Sequence, residues 1–349
     1  MKNRARYFSL SVMFLATALM RAQTPAGGII ERFDPALDAI VSTNAKVELL
    51  AGDFGIAEGP VWIEDRPTGY LLFSDIAANV IYKWTPDGQV SVFLEKSGYT
   101  GGDPLNVGGQ VNSGARGRLA VIALGSNGLT LDPQGRVVIA SHGDRNIARL
   151  EKDGSRTVLA DRHDGKRFNG PNDLVVKSNG ALYFTDAVFG LRGGAKSPAR
   201  EMPFFGVFLV KDGKVAVVDK DPQGGSPNGI ALSPDEMYLY IGSGGKILRY
   251  DIQPNDMAAN GRVLIESGTD GMKVDQKGNL YLTANGNVLI VSPEGKRLGQ
   301  IRLPGEVAGN RALNLGFGDS DAKTLYITAQ TRLYRIRLNV PGTRPAVRH

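Results

Sequence analysis

Six oxygen-bearing side chains open six similar stretches of this chain: Glu58, Asn127, Asn172, Asn228, Asp270 and Asn314. Carboxylate and amide oxygens are hard donors that suit Ca2+, Mg2+ or Mn2+, whereas softer metals want sulfur or imidazole. Two of the six are acidic, so their formal charge would balance one divalent ion. Taken singly, each position also reads as a turn residue, because Asn or Asp at a strand start caps its own backbone. Recurrence at one phase of every stretch favours a functional ring over six unrelated turns.

Other candidates are fewer. His142 stands in Ser141-His-Gly-Asp144, at the mouth-forming place of the second stretch, where it either enters the same site or serves as a structural histidine. Asp75 and Asp186 close the phrases Phe-Ser-Asp and Phe-Thr-Asp and read as turn and hydrogen-bonding residues. The absence of Cys removes disulfides, thiolate metal sites and a cysteine nucleophile together. With His142, His163 and His349 the only histidines, a three-histidine zinc site would have to recruit the last residue. No Gly-x-Ser-x-Gly elbow or phosphate-binding glycine loop occurs.

The elements that must position these residues are written as a repeat. A polar residue, a short apolar strand, a turn and a second strand rich in Tyr, Leu and Val recur, as in NDLVVKSNGALYFTDA from Asn172 and DGMKVDQKGNLYLTAN from Asp270. Two further strands follow in most units, joined by turns such as Pro86-Asp-Gly88, Lys152-Asp-Gly154 and Lys211-Asp-Gly213, where Gly supplies a positive φ. Four short strands in roughly 40–45 residues is the size of a propeller blade. The pattern predicts an all-β, six-bladed β-propeller over residues 46–340 with four-stranded blades. The spare strand Val47–Leu50 closes the last blade, so that N- and C-terminal strands seal the ring. In such a ring, residues of equal phase surround one mouth of the central channel. Helix-period stretches are nearly absent after Ala22, which excludes an α/β barrel. The first unit carries a Gly-rich excess over Gly98–Gly125, read either as a lid beside the ring or as a disordered insertion.

Composition bounds the rest. The 349 residues are 42% hydrophobic and 22% charged, enough apolar material for a packed core and too little net charge for wholesale disorder. Lys2, Arg4 and Arg6 precede an apolar run from Phe8 to Met20, which reads as a signal peptide over 1–22, cut after Ala18 or Ala22. That run is shorter than the ~20 residues of a spanning helix, and an uncleaved anchor is the alternative. Export to the periplasm or the medium, with no membrane attachment after cleavage, is expected. Removing 1–22 takes away four basic residues and no acidic one, so the net charge of +6 falls to +2. No concentrated basic run remains, and nucleic acid is not an expected partner. Residues 23–45 form an N-terminal extension and 341–349 a tail.

The fragments Glu58-Gly-Pro-Val-Trp62, Phe73-Ser-Asp75, Lys166-Arg-Phe-Asn-Gly-Pro-Asn-Asp173, Tyr183-Phe-Thr-Asp186, Pro227-Asn-Gly-Ile-Ala231 and Asp270-Gly-Met-Lys-Val-Asp275 resemble, in this order, the gluconolactonase/regucalcin family of six-bladed propeller lactonases. The resemblance runs from Val47 to Leu338. It implies metal-dependent hydrolysis of a sugar-acid lactone, with Glu58, Asn172, Asn228 and Asp270 as ligands to one divalent cation. Ca2+ is the first choice and Mg2+, Mn2+ or Zn2+ are the alternatives. By the same resemblance Asp270 is the catalytic acid/base, and Arg167 is a substrate-binding residue. Here Asn169-Gly-Pro171 separate Arg167 from Asn172-Asp173, a departure from the family's spacing. Asn127, His142, Asn172 and Asp173 complete the expected substrate contacts, with His142 as a second candidate for the base. Two other readings compete. One is a non-catalytic propeller with a structural Ca2+ that binds a sugar or a protein; the other is an esterase or phosphoesterase using the same site.

Overall fold

A computed structural model describes residues 27–104, 107–113, 119–304 and 311–347. The expected leader, with both candidate cleavage points, and His349 lie outside these described residues.

The described chain is built almost wholly of short antiparallel strands in five large sheets. Three of them are consecutive four-stranded meanders, beginning at Ser126–Leu131, Pro171–Val176 and Ile230–Leu232. The fifth repeat, from Met272–Val274 outward, gains a fifth strand, Ile29–Arg32, which pairs with Arg297–Arg302. The N-terminal extension is thereby docked on the outside of that sheet. This part of the expectation stands: an all-β, propeller-like fold.

The expected count of six separate blades does not stand. The sixth and first repeats share one six-stranded sheet, so the described residues form five large sheets, with two small two-stranded hairpins beside them. The physical reason is the closure itself. Val47–Ile63 and Thr324–Arg337 are long enough to run through both repeats, and they pair with each other from Val47 opposite Ile336 to Ala57 opposite Gln330. Register shifts between Leu49 and Ala51 and between Gly52 and Ala57 bend this pairing without breaking it. The N- and C-terminal strands do meet, and their continuity fuses two units into one sheet.

Burial follows the distance from the axis. The inner strands Ser126–Leu131 and Asn314–Gly318 are buried along their whole length. Outer strands such as Val90–Glu95 and Arg156–Ala160 are largely open. Apolar layers fill the space between neighbouring sheets. Phe168, Phe184 and Phe208 pack between the second and third repeats, and Ile230, Ile241 and Leu248 meet Tyr183 and Leu209 between the third and fourth. Each layer buries side chains from two sheets, as face-to-face sheet packing requires.

Six inner-strand segments line the axis: 57–63, 126–131, 171–176, 230–232, 272–274 and 314–318. Each lies against the next, and the last lies against the first. The far end of the channel encloses a cavity of about 530 Å3, lined among others by Pro60, Leu129, Leu174, Lys273 and Phe317. The C-terminal tail crosses this end. Thr343 Oγ1 donates to the Val274 carbonyl at 2.6 Å, and Arg344 pairs with Glu64 at 2.7 Å.

Candidate functional site

The ring residues stand at the opposite end, where the inner strands begin. Their local backbone explains how they reach the axis. In the first three repeats the pairing with the second strand skips a step at the same place: between Glu58 and Val61, between Ser126 and Leu129, and between Pro171 and Leu174. A bulge removes a residue from the ladder and re-aims its side chain. In the fourth repeat Asn228 precedes the strand proper, its N–H donating to Gly242; in the fifth, Asp270 donates likewise to Thr283.

The residue that follows marks where neighbouring inner strands touch. Gly59 has φ +51, and a Cβ there would stand 2.1 Å from the Asn127 carbonyl oxygen. Gly229 approaches the Asp270 carbonyl in the same way, at 2.3 Å. Only glycine permits that approach. The third and sixth repeats depart from the rule, with Asp173 after Asn172 and Leu315 after Asn314. Asp173 is buried, accepts from Asn314 Nδ2 at 3.3 Å and lies 4.0 Å from Lys273 Nζ.

The side chains then form a directed chain. Asn127 Nδ2 donates to Asn172 Oδ1 at 2.7 Å, and Asn172 Nδ2 donates to Asn228 Oδ1 at 2.5 Å. Asn228 in turn hydrogen-bonds the Asp270 carboxyl. His142 Nε2 lies 3.2 Å from both Asn127 Nδ2 and Asn172 Oδ1. Among the described residues, neither His142 Nδ1 nor Asn127 Oδ1 meets a hydrogen-bonding partner, although both are buried. An orphaned buried oxygen at a site of this kind marks a place for a ligand or an alternative amide orientation.

Charge is concentrated without full compensation. Glu58 is 3% exposed; the Gly59 N–H donates to its carboxyl at 2.8 Å, and the Asn314 side chain also hydrogen-bonds it. Burial, then the nearby Asp270 charge, push its carboxyl well above the usual range. Burial also pushes Asp270 up to about 6, against the opposing pull of Arg311, whose guanidinium is 3.4 Å away. Burial lowers the His142 imidazole to about 4, so the ring is neutral at ordinary pH.

The structure brings together Glu58, Asn127, His142, Asn172, Asn228 and Asp270, with Asp173 and Asn314 alongside. It does not bring Arg167 into contact with them among the described residues. The Arg167 guanidinium donates to the Asp144 carbonyl at 2.8 Å, and its side chain lines a peripheral groove with Thr100, Arg156 and Arg162. The physical cause is that the Lys166–Arg167 strand belongs to a separate two-stranded hairpin. Two residues were missed from sequence, Arg311 beside Asp270 and Lys273 beside Asp173. Their only signal was placement within three residues of Asn314 and Asp270, respectively.

Asp75 and Asp186 fall where turn chemistry put them. Asp75 accepts from the N–H groups of Gly55, Ile56, Ala77 and Ala78, and Asp186 from those of Asn169 and Gly170. The Gly98–Gly125 stretch contains a hairpin, Gly109–Ser113 with Leu119–Ala123. Its base is tied to the mouth: Gly108 N–H donates to Gly190, and His142 N–H to Gly125. Phe189, in the adjoining turn, has its ring 6.0 Å from that of His142. This side of the mouth is closed, whereas Asn228 and Asp270 remain partly exposed.

A cation fits this donor set. No three His, Asp or Glu side chains among the described residues gather tightly enough to ligate an ion alone. The amide oxygens of Asn172 and Asn228 would have to join the carboxylates of Glu58 and Asp270. That mixture of hard oxygens is what Ca2+ and Mg2+ accept, and it supplies the positive charge that the two carboxylates lack.

Comparison with known proteins agrees with the geometry. Residues 56–331 match the SMP-30/Gluconolactonase/LRE-like region. The chain is 36% identical to a gluconolactonase of Zymomonas mobilis, over 90% of this chain and 87% of that one. It is similar in structure to a gluconolactonase of Xanthomonas campestris, with TM-score 0.73 and 27% identity, covering 92% of this chain and all (100%) of that one. A calcium-binding regucalcin of Agrobacterium tumefaciens shares the fold, with TM-score 0.63 and 18% identity, over 86% of this chain and 97% of that one.

Proposed function

The chain belongs to the SMP-30/Gluconolactonase/LRE-like family, and from that premise we propose that it hydrolyses a sugar-acid lactone with the help of one divalent cation. The cation would be held at the channel mouth by Glu58, Asn172, Asn228 and Asp270. The observation that carries this reading is the pair of carboxylates, buried Glu58 and half-buried Asp270, each held protonated to higher pH than usual. Buried charge without a partner is costly, and a bound divalent ion is the partner that would remove the cost.

When bound, the cation supplies Lewis-acid polarisation of the lactone carbonyl. The protein's own groups do the rest. Asp270, on the partly open side of the mouth, takes the proton of the attacking water and returns one to the ring oxygen as the ester bond breaks. Arg311, beside it, favours the ionised form of that carboxyl and stands where the anionic product emerges. Asn127, His142 and Asp173 offer donors and acceptors to the sugar hydroxyls, and the hairpin within 98–125 limits the size of what enters. Arg167 has no part in this reading.

The test is pH-stat hydrolysis of a panel of sugar lactones, before and after chelation and re-addition of Ca2+, Mg2+, Mn2+ or Zn2+. Metal-restored turnover that disappears in Glu58→Gln is the expected result. Tight cation binding with no turnover on any lactone would instead support a binding propeller with a structural ion. The four side chains fall short of the 6–8 oxygens Ca2+ takes, which favours an ion with positions left for water and substrate. Aryl esters and phosphoesters belong in the same panel as the second enzymatic reading. Export is part of the proposal, and fractionation of cells expressing the full chain tests it.

A further inference from the structure

The amide chain at the mouth runs in one direction, and that direction is wrong for a cation. Asn127 donates to Asn172, Asn172 to Asn228, and Asn228 to Asp270. In this arrangement Asn172 Oδ1 faces Asn127 and His142, and its Nδ2 faces Asn228. A ligating Asn172 must present its oxygen to the ion instead, with its NH2 group turned away. The oxygen and nitrogen of an amide are nearly isosteric, so this exchange needs only a half-turn about the terminal torsion.

One acceptor already stands on the far side, and a second can be turned into place. The first is His142 Nε2, 3.2 Å from the position that Asn172 Oδ1 now occupies. The second is Asn127 Oδ1, buried and without a partner among the described residues. After the turn, one Asn172 hydrogen would meet the His142 Nε2 lone pair. The other would meet Asn127 Oδ1 once that amide turns as well. His142 then carries its hydrogen on Nδ1, the atom that meets no hydrogen-bonding partner among the described residues. The present arrangement leaves Asn127 Oδ1 orphaned; the turned one pairs that oxygen and leaves the Asn127 NH2 group in its place.

We propose that His142 is a positioning residue: by accepting a hydrogen bond at Nε2 it holds the Asn172 amide with its oxygen toward the bound cation. The inference rests on the cation reading above and adds a role for a side chain that does not itself ligate. Groups that orient ligands in this way typically change metal affinity by about 10–100-fold when removed.

Three variants and one ligand test it. Affinity for Ca2+ alone is measured by titration calorimetry on the full chain, and again by Tb3+ luminescence with Ca2+ as competitor. His142→Gln keeps an acceptor oxygen near the Nε2 position and should bind within about 3-fold of the parent. His142→Leu removes the acceptor and His142→Asn cannot reach that far, so both should bind at least about 10-fold more weakly. His142→Asn keeps a polar side chain, so the test survives if His142→Leu fails to fold. Equal Ca2+ affinity in the parent, Gln and Asn proteins would overturn the positioning role while leaving the cation site intact. A parent protein that binds none of Ca2+, Mg2+ or Mn2+ would overturn the cation reading and this inference together.

Discussion

Two buried acids show how differently one fold can treat a carboxylate. Asp256, in the turn before the outer strand of the fourth repeat, is 2% exposed, much as Glu58 is. It accepts from Lys177 Nζ at 2.6 Å, Lys211 Nζ at 2.7 Å and Asn179 Nδ2 at 2.9 Å. Burial opposes its ionisation, but these three donors together hold its carboxyl below the usual range. At the mouth, Glu58 lies near a second acid, and its shift runs upward. The first acid is a staple between neighbouring repeats, fully paired by the chain itself. The second is left incomplete by the chain, and incompleteness in a buried site is what a ligand can exploit.

The comparison can be broken from either side. Asp270→Asn should lower lactone turnover by about 10²–10⁴-fold, the range expected for loss of a proton-transfer group. Its thermal midpoint should stay within a few degrees of the parent or rise, because the substitution relieves like charge. A destabilised protein with near-normal turnover would refute both the role and the contrast.

Asp256→Asn should do the reverse. Removing the acid leaves Lys177 and Lys211 without their partner; both lysines reach solvent in part, so the loss should be about 1–3 kcal/mol. Urea unfolding measures that loss, and turnover per folded molecule should be unchanged. Acidification sharpens the point. A carboxyl with a depressed folded-state pKa stabilises above its unfolded value, and this contribution is lost as pH falls through the folded one. The parent should therefore lose stability below the ordinary carboxylate range, and Asp256→Asn should show a flatter profile there.

Chelation should abolish turnover while the melting temperature falls only modestly. A bound ion stabilises by about 2.7 kcal/mol at one hundred times its Kd, and the sheets do not depend on it. The smallest effect is expected at Arg311. Its side chain is 61% exposed, and exposed pairs are worth about 0–1 kcal/mol. Arg311→Gln should tighten Ca2+ binding by no more than about 5-fold, equivalent to that range, by removing a competing positive charge. Weakened binding would show that Arg311 supports the site rather than competes for Asp270.

Much of the fold was legible because the repeat is periodic and local. A polar residue before a short apolar strand, with glycine next, marks the bulge at Glu58 and the close approach at Gly59. Turn chemistry placed Asp75 and Asp186 among backbone N–H groups. The count of separate sheets was not legible, since nothing local says whether Val47–Ile63 will bend within one strand or break into two. The place of Arg167 was not legible either: its strand joins a separate two-stranded hairpin, which puts the side chain in another groove.

What the sequence determined by itself was the phase. Equal positions in successive units had to come to one end of the channel, because each unit folds by the same local rules. Only the tertiary structure decided what those residues do to one another. Whether a carboxyl is paired with cations, as Asp256 is, or left beside its like without one, as Glu58 is, depends on side chains brought from distant repeats. The direction of the amide chain from Asn127 to Asp270 is likewise a property of the assembled ring. At the mouth, burial and hydrogen bonding act between side chains of different repeats, and a single repeat does not contain those contacts.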